Sequence, residues 1–326
     1  MTVIDAARIF SQGDDFIFTT HEAPDADGLG AQFSLTAALR GMGKRARAVN
    51  ADKAPARYEF LDPRGIIENL DDSGLEECDL SRTTVVLVDT NDIQYTGAMA
   101  DIALTRAERV MVFDHHETKG MAKDEACALP TASSTCEMAY FLLRELAAPI
   151  GPDIAAALFA GIVYDTGSFG YAKTSESTFE AALDLVRLGA APSLIHNQLY
   201  ESSSTSVLLL RKAVLSTLEL HADGRIALQT MTREMLDETK SCYEDSEDLI
   251  NVPLQSKNVQ VSIFFKSNSA GVLRCSLRSK GAINVAHIAQ TFGGGGHKTA
   301  AGFKSPYPLE TMRKKVLEIV TSTLPD

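Results

Sequence analysis

The sequence predicts an α/β protein in two parts. An N-terminal domain with a mostly parallel, helix-covered sheet precedes a smaller α+β C-terminal domain, with a cleft between them. Three observations lead there. The chain has 326 residues, 45% of them hydrophobic, which at roughly 150 residues per domain makes about two domains, each able to bury a core. Short apolar runs alternate with longer helical patterns over the first part, the signature of βαβ units. The charge balance then changes: residues 1–210 carry 16 Lys and Arg against 31 Asp and Glu, while residues 211–326 carry 15 against 12. The change falls just after the Ser-rich stretch Ser202-Ser203-Ser204-Thr205-Ser206. The expected boundaries are a first domain over residues 1–190, a linker over 191–213 and a second domain over 214–326.

Element by element, strand-like runs occur at Phe16–Phe18, Thr84–Val88 and Val110–Phe113. Helical patterns lie around Gly28–Met42, Ser134–Leu146, Ile154–Val163 and Ser177–Leu188. The second part has strands near Ile226–Met231, Val259–Phe265 and Gly271–Leu277, then helices near Asn284–Gln290 and Leu309–Thr323.

Ligands of a parallel sheet bind at the carboxyl ends of its strands, and the residues found there are informative. The first strand runs into Thr20-His21-Glu22-Ala23-Pro24-Asp25-Ala26-Asp27-Gly28, the second ends at Asp89, and the third ends at Asp114-His115-His116. A further apolar run, Leu158–Tyr164, ends at Asp165 and is expected to deliver it to the same edge. Taken singly, Asp25 and Asp27 could serve only as capping residues and His21 only as a turn residue. Together they would crowd at least four carboxylates and two imidazoles into one spot, which is unfavourable unless cations neutralise them. Two divalent metal ions are therefore expected. Carboxylate ligands with one imidazole per ion favour Mn2+, with Mg2+ or Co2+ as alternatives and Zn2+ also open. Such a pair is the clamp used for phosphoryl displacement.

A second constellation lies downstream, in Gly293-Gly294-Gly295-Gly296-His297-Lys298. Four glycines permit close backbone approach, and the chain after them is read as helical, so a helix start that binds an anion is expected. The loop belongs to a 61-residue stretch, Leu249 to Leu309, that contains no Asp or Glu and seven Lys or Arg, Arg278 among them. A planar guanidinium suits bidentate contact with phosphate.

Composition excludes several classes. No apolar run approaches the ~20 residues of a membrane span, and Met1-Thr2-Val3-Ile4-Asp5 lacks a signal pattern. The five cysteines are scattered and never spaced as C-x-x-C, which argues against a disulfide scaffold or a cysteine zinc site and for a cytoplasmic location. A net charge of −12 argues against wrapping long duplexes, though not against a short nucleotide held locally.

The motifs HEAPDADGLGA, VVLVDTND, VFDHHET, GIVYDTGSF and SLRSKGAINVAHIAQTFGGGGHKTAAGF resemble, in order and over the whole chain, those of the DHH phosphoesterase superfamily. They resemble most closely its branch with a Gly-Gly-Gly-His C-terminal domain, the oligoribonuclease/pAp phosphatase (nanoRNase) type. The resemblance implies one metal held by His21, Asp25 and Asp89 and another by Asp27, Asp89, His115 and Asp165, with Asp89 bridging. It implies that Asp114 orients a ligand, that His116 stabilises or protonates the leaving oxygen, and that Asp89, Asp114 and His116 form the catalytic group. It assigns the nucleotide phosphate to Arg278, Ser279, Gly294, Gly295, Gly296, His297 and Lys298. Two positions depart from the pattern. Ala31 stands where Ser is common, and Gly170 follows Phe169 where many relatives carry a basic residue, which puts recognition of the substrate end in doubt. His196, His221 and His287 match no motif and are read as structural.

The activity implied is hydrolysis of short single-stranded RNA or DNA oligonucleotides of 2–5 nucleotides to mononucleotides, and of 3′-phosphoadenosine 5′-phosphate to AMP. A phosphodiesterase for cyclic or linear dinucleotides is the alternative. A pyrophosphatase ranks low because it lacks the glycine-rich domain, and a non-catalytic sensor is disfavoured by the full set of acidic and histidine motifs. No membrane partner is expected, and a homodimer is left open.

Overall fold

The computed structural model describes residues 1–117, 126–267, 272–296, 298–305 and 307–324. The chain divides into two units, Met1–Ser202 and Ser203–Asp326. The stretch expected as a linker is largely helical, with Pro192–His196, a further turn at Asn197–Glu201 and a helix over Thr205–Leu215.

The first unit begins with α1 (Val3–Gln12), started by a capping box between Thr2 and Asp5. It continues with β1 (Asp15–Thr19), α2 (Ala26–Gly41), β2 (Arg45–Asn50), β3 (Ile67–Asn69) and α3 (Leu70–Ser73). Next come β4 (Thr84–Val88), α4 (Met99–Arg106), β5 (Arg109–Asp114) and β6 (Ala126–Ala128). The helices α5 (Thr135–Glu145), α6 (Pro152–Asp165), α7 (Glu176–Arg187) and α8 (Pro192–His196) complete it. The six strands lie in the order β3-β2-β1-β4-β5-β6, every pair parallel. Strand order reverses between β1 and β4, and a crevice at their carboxyl ends is where such a sheet accepts ligands.

Helix α2 explains why that crevice is rigid. Every residue from Ala26 to Leu39 is buried, because α5 and α6 pack against the side that the sheet leaves open. The one long polar side chain of that buried stretch, Gln32, donates from Nε2 to Phe18 O at 2.8 Å and to Asn50 Oδ1 at 2.9 Å. Asn50 in turn accepts from Thr20 N at 3.1 Å. The buried amide pair thus ties the end of β1 to the end of β2, satisfying groups that would otherwise be costly to bury.

The second unit contains α9 (Thr205–Leu215), β7 (Glu219–His221), β8 (Ile226–Met231), α10 (Arg233–Thr239), β9 (Val261–Ser267) and β10 (Leu273–Ser279). It closes with α11 (Val285–Gln290), β11 (Gly295–Gly296), β12 (Ala300–Lys304) and α12 (Leu309–Thr323). Its mixed sheet runs β11-β12-β10-β9-β8-β7, with only the β8–β9 pair parallel. Strand alternation sends Val261, Ile263, Phe265, Cys275 and Leu277 into a core with α11 and α12. Phe264 and Met231 point the other way, into a smaller cluster with Leu210, Val214 and Leu249.

One expectation is sharpened and one is corrected. The run Leu158–Tyr164 is the end of the helix expected around Ile154–Val163, here α6, so Asp165 reaches the cluster from a helix C-terminus. The chain after the glycines is not helical: Gly295–Gly296 pairs antiparallel with Ala301–Gly302 and the strand continues to Lys304. Four consecutive glycines favour a helix poorly, while their bare backbone can pair closely with Ala301 and Gly302.

Among the described residues, no helix is long and apolar enough to cross a membrane. All five cysteines are free.

Candidate metal centre and phosphate site

The ends of β1, β4 and β5, the start of α2 and the end of α6 bring the expected residues of the first unit together. Three overlapping groups have ligand atoms within 4.8 Å of one another: His21, Asp25 and Asp89; Asp27, His115 and Asp165; and Asp89, Asp114, His115 and His116. Asp89 joins the first group to the third, and His115 joins the third to the second. His196, His221 and His287 belong to none of the three groups.

The histidines show what the cluster is built to hold. His115 is buried, and its Nδ1 faces Ala132 O at 3.4 Å. A carbonyl can only accept, so Nδ1 carries the proton and Nε2 carries a lone pair. That Nε2 has no hydrogen-bond partner, yet it lies 3.2 Å from Asp165 Oδ2, 3.6 Å from Asp89 Oδ1 and 3.9 Å from Asp27 Oδ2. His21 repeats the pattern: Nδ1 donates to Glu22 O at 2.8 Å, and Nε2 lies 3.8 Å from Asp89 Oδ2 and 4.0 Å from Asp25 Oδ1. In each place a lone pair faces carboxylate oxygens, an arrangement that a cation between them reconciles. The donor sets, imidazole nitrogen with several carboxylates, fit divalent metal ions.

The titration of these groups agrees. Burial, with the charge of Asp25 behind it, raises Asp27 to about 6 even though two backbone N–H groups bond it. Burial and then Asp27 and Asp25 raise Asp165 to about 8. Asp89 is raised well above the usual carboxylate range, again by burial first and by Asp27 next. Burial lowers His115 to about 3, so its ring is neutral. A site that pushes its carboxyls towards the protonated form is short of positive charge.

Supporting contacts fix the carboxylates. Asp25 caps α2, accepting from Asp27 N at 3.0 Å and Gly28 N at 3.2 Å. Asp27 accepts from Thr135 N at 2.7 Å and Cys136 N at 2.8 Å, the first amides of α5. Thr135 Oγ1 also donates to Asp89 Oδ1 at 2.8 Å. Gly161 of α6 makes the space: a Cβ there would overlap Cys136 Sγ and come within 2.9 Å of Asp27 Oδ1. Asp89 itself has φ +60°, a conformation that Asp tolerates better than most residues and that turns its carboxylate back over the strand end.

His116 stands apart from the two ligand histidines. Its Nδ1 lies 2.7 Å from Asp114 Oδ1, and Asp114 Oδ2 accepts from Asn91 Nδ2 at 2.9 Å. Burial opposes the charged ring, but the bond to Asp114 and its negative charge outweigh that, and the His116 pKa is raised. On Asp114 the burial effect is likewise outweighed by His116, and the carboxyl is lowered. Lys173 Nζ donates to His115 O at 3.3 Å and brings a positive charge close by. Sequence reasoning missed Thr135, Asn91, Gly161 and Lys173. Asn91 sits inside the quoted VVLVDTND motif and Gly161 opens the quoted GIVYDTGSF motif; the other two carry no local signal.

In the second unit, strand register places Arg278 beside Ala300 of β12, whose next residue, Ala301, pairs with Gly296 of β11. The guanidinium and the glycine hairpin therefore share one end of the sheet. Gly296 has φ +138° and lies so close to Ala300 and Ala301 that no side chain fits. Gly294 lies equally close to Gly302 and Phe303, and Gly295 is exposed. Lys298 is exposed, and its carbonyl accepts from Val285 N at 2.9 Å. Ser279 points to the face opposite Arg278, where its Oγ donates to Ile283 O at 2.7 Å. His297 lies outside the described residues.

Comparison with known proteins adds the following. Residues 15–162 match the DHH family N-terminal domain, and residues 243–324 match the DHHA1 domain. A bifunctional oligoribonuclease and PAP phosphatase NrnA from Thermus thermophilus is 28% identical over 312 residues, covering 94% of this chain and 89% of that protein. A cyclic-di-AMP phosphodiesterase GdpP from Geobacillus thermodenitrificans is 27% identical over 316 residues, covering 90% of this chain but 45% of that protein. The crystal structure of an exopolyphosphatase-related protein from Bacteroides fragilis superposes with a TM-score of 0.88 at 26% identity, covering 97% of this chain and 94% of that one.

Proposed function

We propose, for a chain that belongs to the DHH family through its N-terminal domain and carries a DHHA1 domain behind it, a short-oligonucleotide hydrolase. The chain is a metal-dependent phosphoester hydrolase. Its substrates on this reading are single-stranded RNA or DNA of 2–5 nucleotides, cut to mononucleotides, and 3′-phosphoadenosine 5′-phosphate, converted to AMP. The observation that carries the reading is the pair of histidine lone pairs, on His21 and His115, facing carboxylates in a cluster joined through Asp89. The relative named as an oligoribonuclease and PAP phosphatase supports the choice of substrate, since the match runs nearly end to end in both proteins.

Two ions are assigned, Mn2+ in preference to Mg2+ or Co2+, one to His21, Asp25 and Asp89 and one to Asp27, Asp89, His115 and Asp165. When bound, such ions neutralise a phosphate and supply a water acidic enough to attack at neutral pH. The protein's own groups do the rest. Thr135 and the first amides of α5 hold Asp27 and Asp89 in place without competing for their remaining lone pairs. Asn91 fixes Asp114, Asp114 holds His116 by Nδ1 and favours its protonated form, and the ring then gives a proton from Nε2 to the leaving oxygen. Arg278 and the glycine hairpin grip a substrate phosphate through the guanidinium and backbone N–H groups. Five free cysteines fit the reducing cytoplasm in which such substrates arise.

A second reading, turnover of cyclic or linear dinucleotides, is favoured by the similarity to a cyclic-di-AMP phosphodiesterase. A panel of pApA, cyclic di-AMP, 3′-phosphoadenosine 5′-phosphate and oligoadenylates up to about ten residues, each with Mn2+, Mg2+ or Co2+, separates the two. Release of AMP fastest from the short linear substrates is expected; preferential opening of the cyclic dinucleotide would replace the first reading with the second.

A further inference from the structure

Arg278 is one end of a row. On β10 the side chains of Arg274, Ser276 and Arg278 point to the same face, and the strand pairing puts Lys266 of β9 and Lys304 of β12 on either side of Arg274. Three cations therefore stand on three adjacent strands, about 4.8 Å apart from one strand to the next. Like charges set directly across a sheet are destabilising, so this row costs the fold something that an anion would relieve.

Lys266 sharpens the point. It is only 8% exposed, and among the described residues its ammonium makes no hydrogen bond and no ion pair. Its Nζ rests over the Tyr243 ring at 4.9 Å and the Phe264 ring at 5.6 Å. Glu244 and Glu247 are the acids that act on it electrostatically, at longer range than a salt bridge, and burial outweighs them in lowering its pKa. The Tyr243 hydroxyl beside it is buried and has no hydrogen-bond partner. A sequestered ammonium and an unused phenol in one place, flanked by a guanidinium, leave donors without an acceptor.

We propose that Lys266, Arg274, Lys304 and the Tyr243 hydroxyl form a second phosphate subsite, which takes the phosphate two nucleotides along the strand from the one gripped at Arg278. This rests on the oligonucleotide reading given above. The two arginines stand four positions apart on β10, about 13 Å along the strand, a distance that two steps of a stretched sugar–phosphate chain span. Ser276, with Gly302 and Gly295 in the same row, keeps the path between them low and polar. The subsite makes the C-terminal unit a length gauge: a trinucleotide engages both ends of the row and a dinucleotide only one.

The test compares 5′-phosphorylated di- and triadenylate on the wild-type protein, on R274A/K304A and on K266M. Binding is measured calorimetrically in EDTA, where nothing is hydrolysed, and turnover separately with Mn2+. Wild type should bind the trinucleotide about tenfold more tightly than the dinucleotide. R274A/K304A should bind the two alike, with dinucleotide affinity changed less than twofold. Its trinucleotide salt dependence, as log K against log salt, should flatten by about 0.7 for each phosphate that is no longer neutralised. K266M, which keeps the buried stem and removes the charge, should lose the length preference in the same direction. Equal affinity for both lengths in the wild type, or a preference that survives R274A/K304A, overturns the subsite. Length-dependent binding without turnover would instead overturn the hydrolytic reading and leave the subsite standing.

Discussion

The N-terminal unit gathers negative charge at its site and the C-terminal unit gathers positive charge, and the two handle the excess differently. In the first, the carboxylates are buried, bonded by backbone amides and threonine, and pushed towards protonation when no cation is near. In the second, Arg274 and Lys304 stay exposed and only Lys266 is enclosed. The difference matches what each must do. A metal centre demands fixed distances and exclusion of competing ligands, which burial and supporting hydrogen bonds provide. A grip on a polyanion needs attraction and tolerance of different substrates, which exposed cations on a strand provide at little cost. On the proposed function, chemistry falls to the unit with the buried cluster and selection to the unit with the exposed cations.

The largest effect should come from the residue that joins the ligand groups. Asp89→Asn keeps the shape and can keep the unusual backbone conformation, but it removes the bridging charge. Turnover should fall by at least about a thousandfold, with the melting temperature of the metal-free protein unchanged or raised, because the buried charge being removed is unfavourable there. Near-normal activity with Mn2+ would break the contrast by showing that the cluster is not the chemical centre.

A smaller effect is expected from pH. Metal ligands must be deprotonated, and Asp165 at about 8 and Asp27 at about 6 hold protons in the metal-free protein. Both are raised above their unfolded values, so their contribution to stability is present at low pH and lost as pH rises through about 6 and then about 8; bound metal removes that loss. Metal affinity should therefore drop on going from pH 8 to pH 6, by about tenfold per unit for each proton displaced. Calorimetry in buffers of different ionisation enthalpy counts the protons released, and a count of zero would contradict the raised carboxyls.

The smallest effect belongs to the grip. Arg278→Ala should raise KM by about tenfold and leave kcat within about threefold, the division expected if the C-terminal unit binds and does not react. A fall in kcat with an unchanged KM would move Arg278 into the chemistry.

Much of the metal centre was legible in the sequence because parallel strands end abruptly and place chemistry at those ends. His21, Asp89, Asp114, His115 and His116 each follow a short apolar run within three residues, and Asp25 comes six residues after β1 ends. Asp165 follows a run, Leu158–Tyr164, that ends the helical pattern expected around Ile154–Val163, and it joins the strand-end residues from the C-terminus of α6. The hidden parts are those that act across long sequence distances. Thr135 reaches Asp89 from 46 residues away and Cys136 reaches Asp27 from 109, and nothing local in either announces it. Gly161 reads as an ordinary helical glycine until the neighbouring sulfur and carboxylate are seen. The glycine hairpin was recognised as a close approach but assigned to a helix, because glycines state that backbone is near something without saying what.

Helix α2 has one more consequence, and it concerns how such a protein can change. With every position from Ala26 to Leu39 enclosed, truncating one of its large side chains costs on the order of 2–5 kcal/mol, most of what a domain has to spare. The machinery anchored to that helix is thus closed to gradual alteration. On the proposed function, new substrate preferences have an open route through exposed positions such as Arg274, Lys298 and Lys304, where a replacement leaves the folding of the catalytic half untouched.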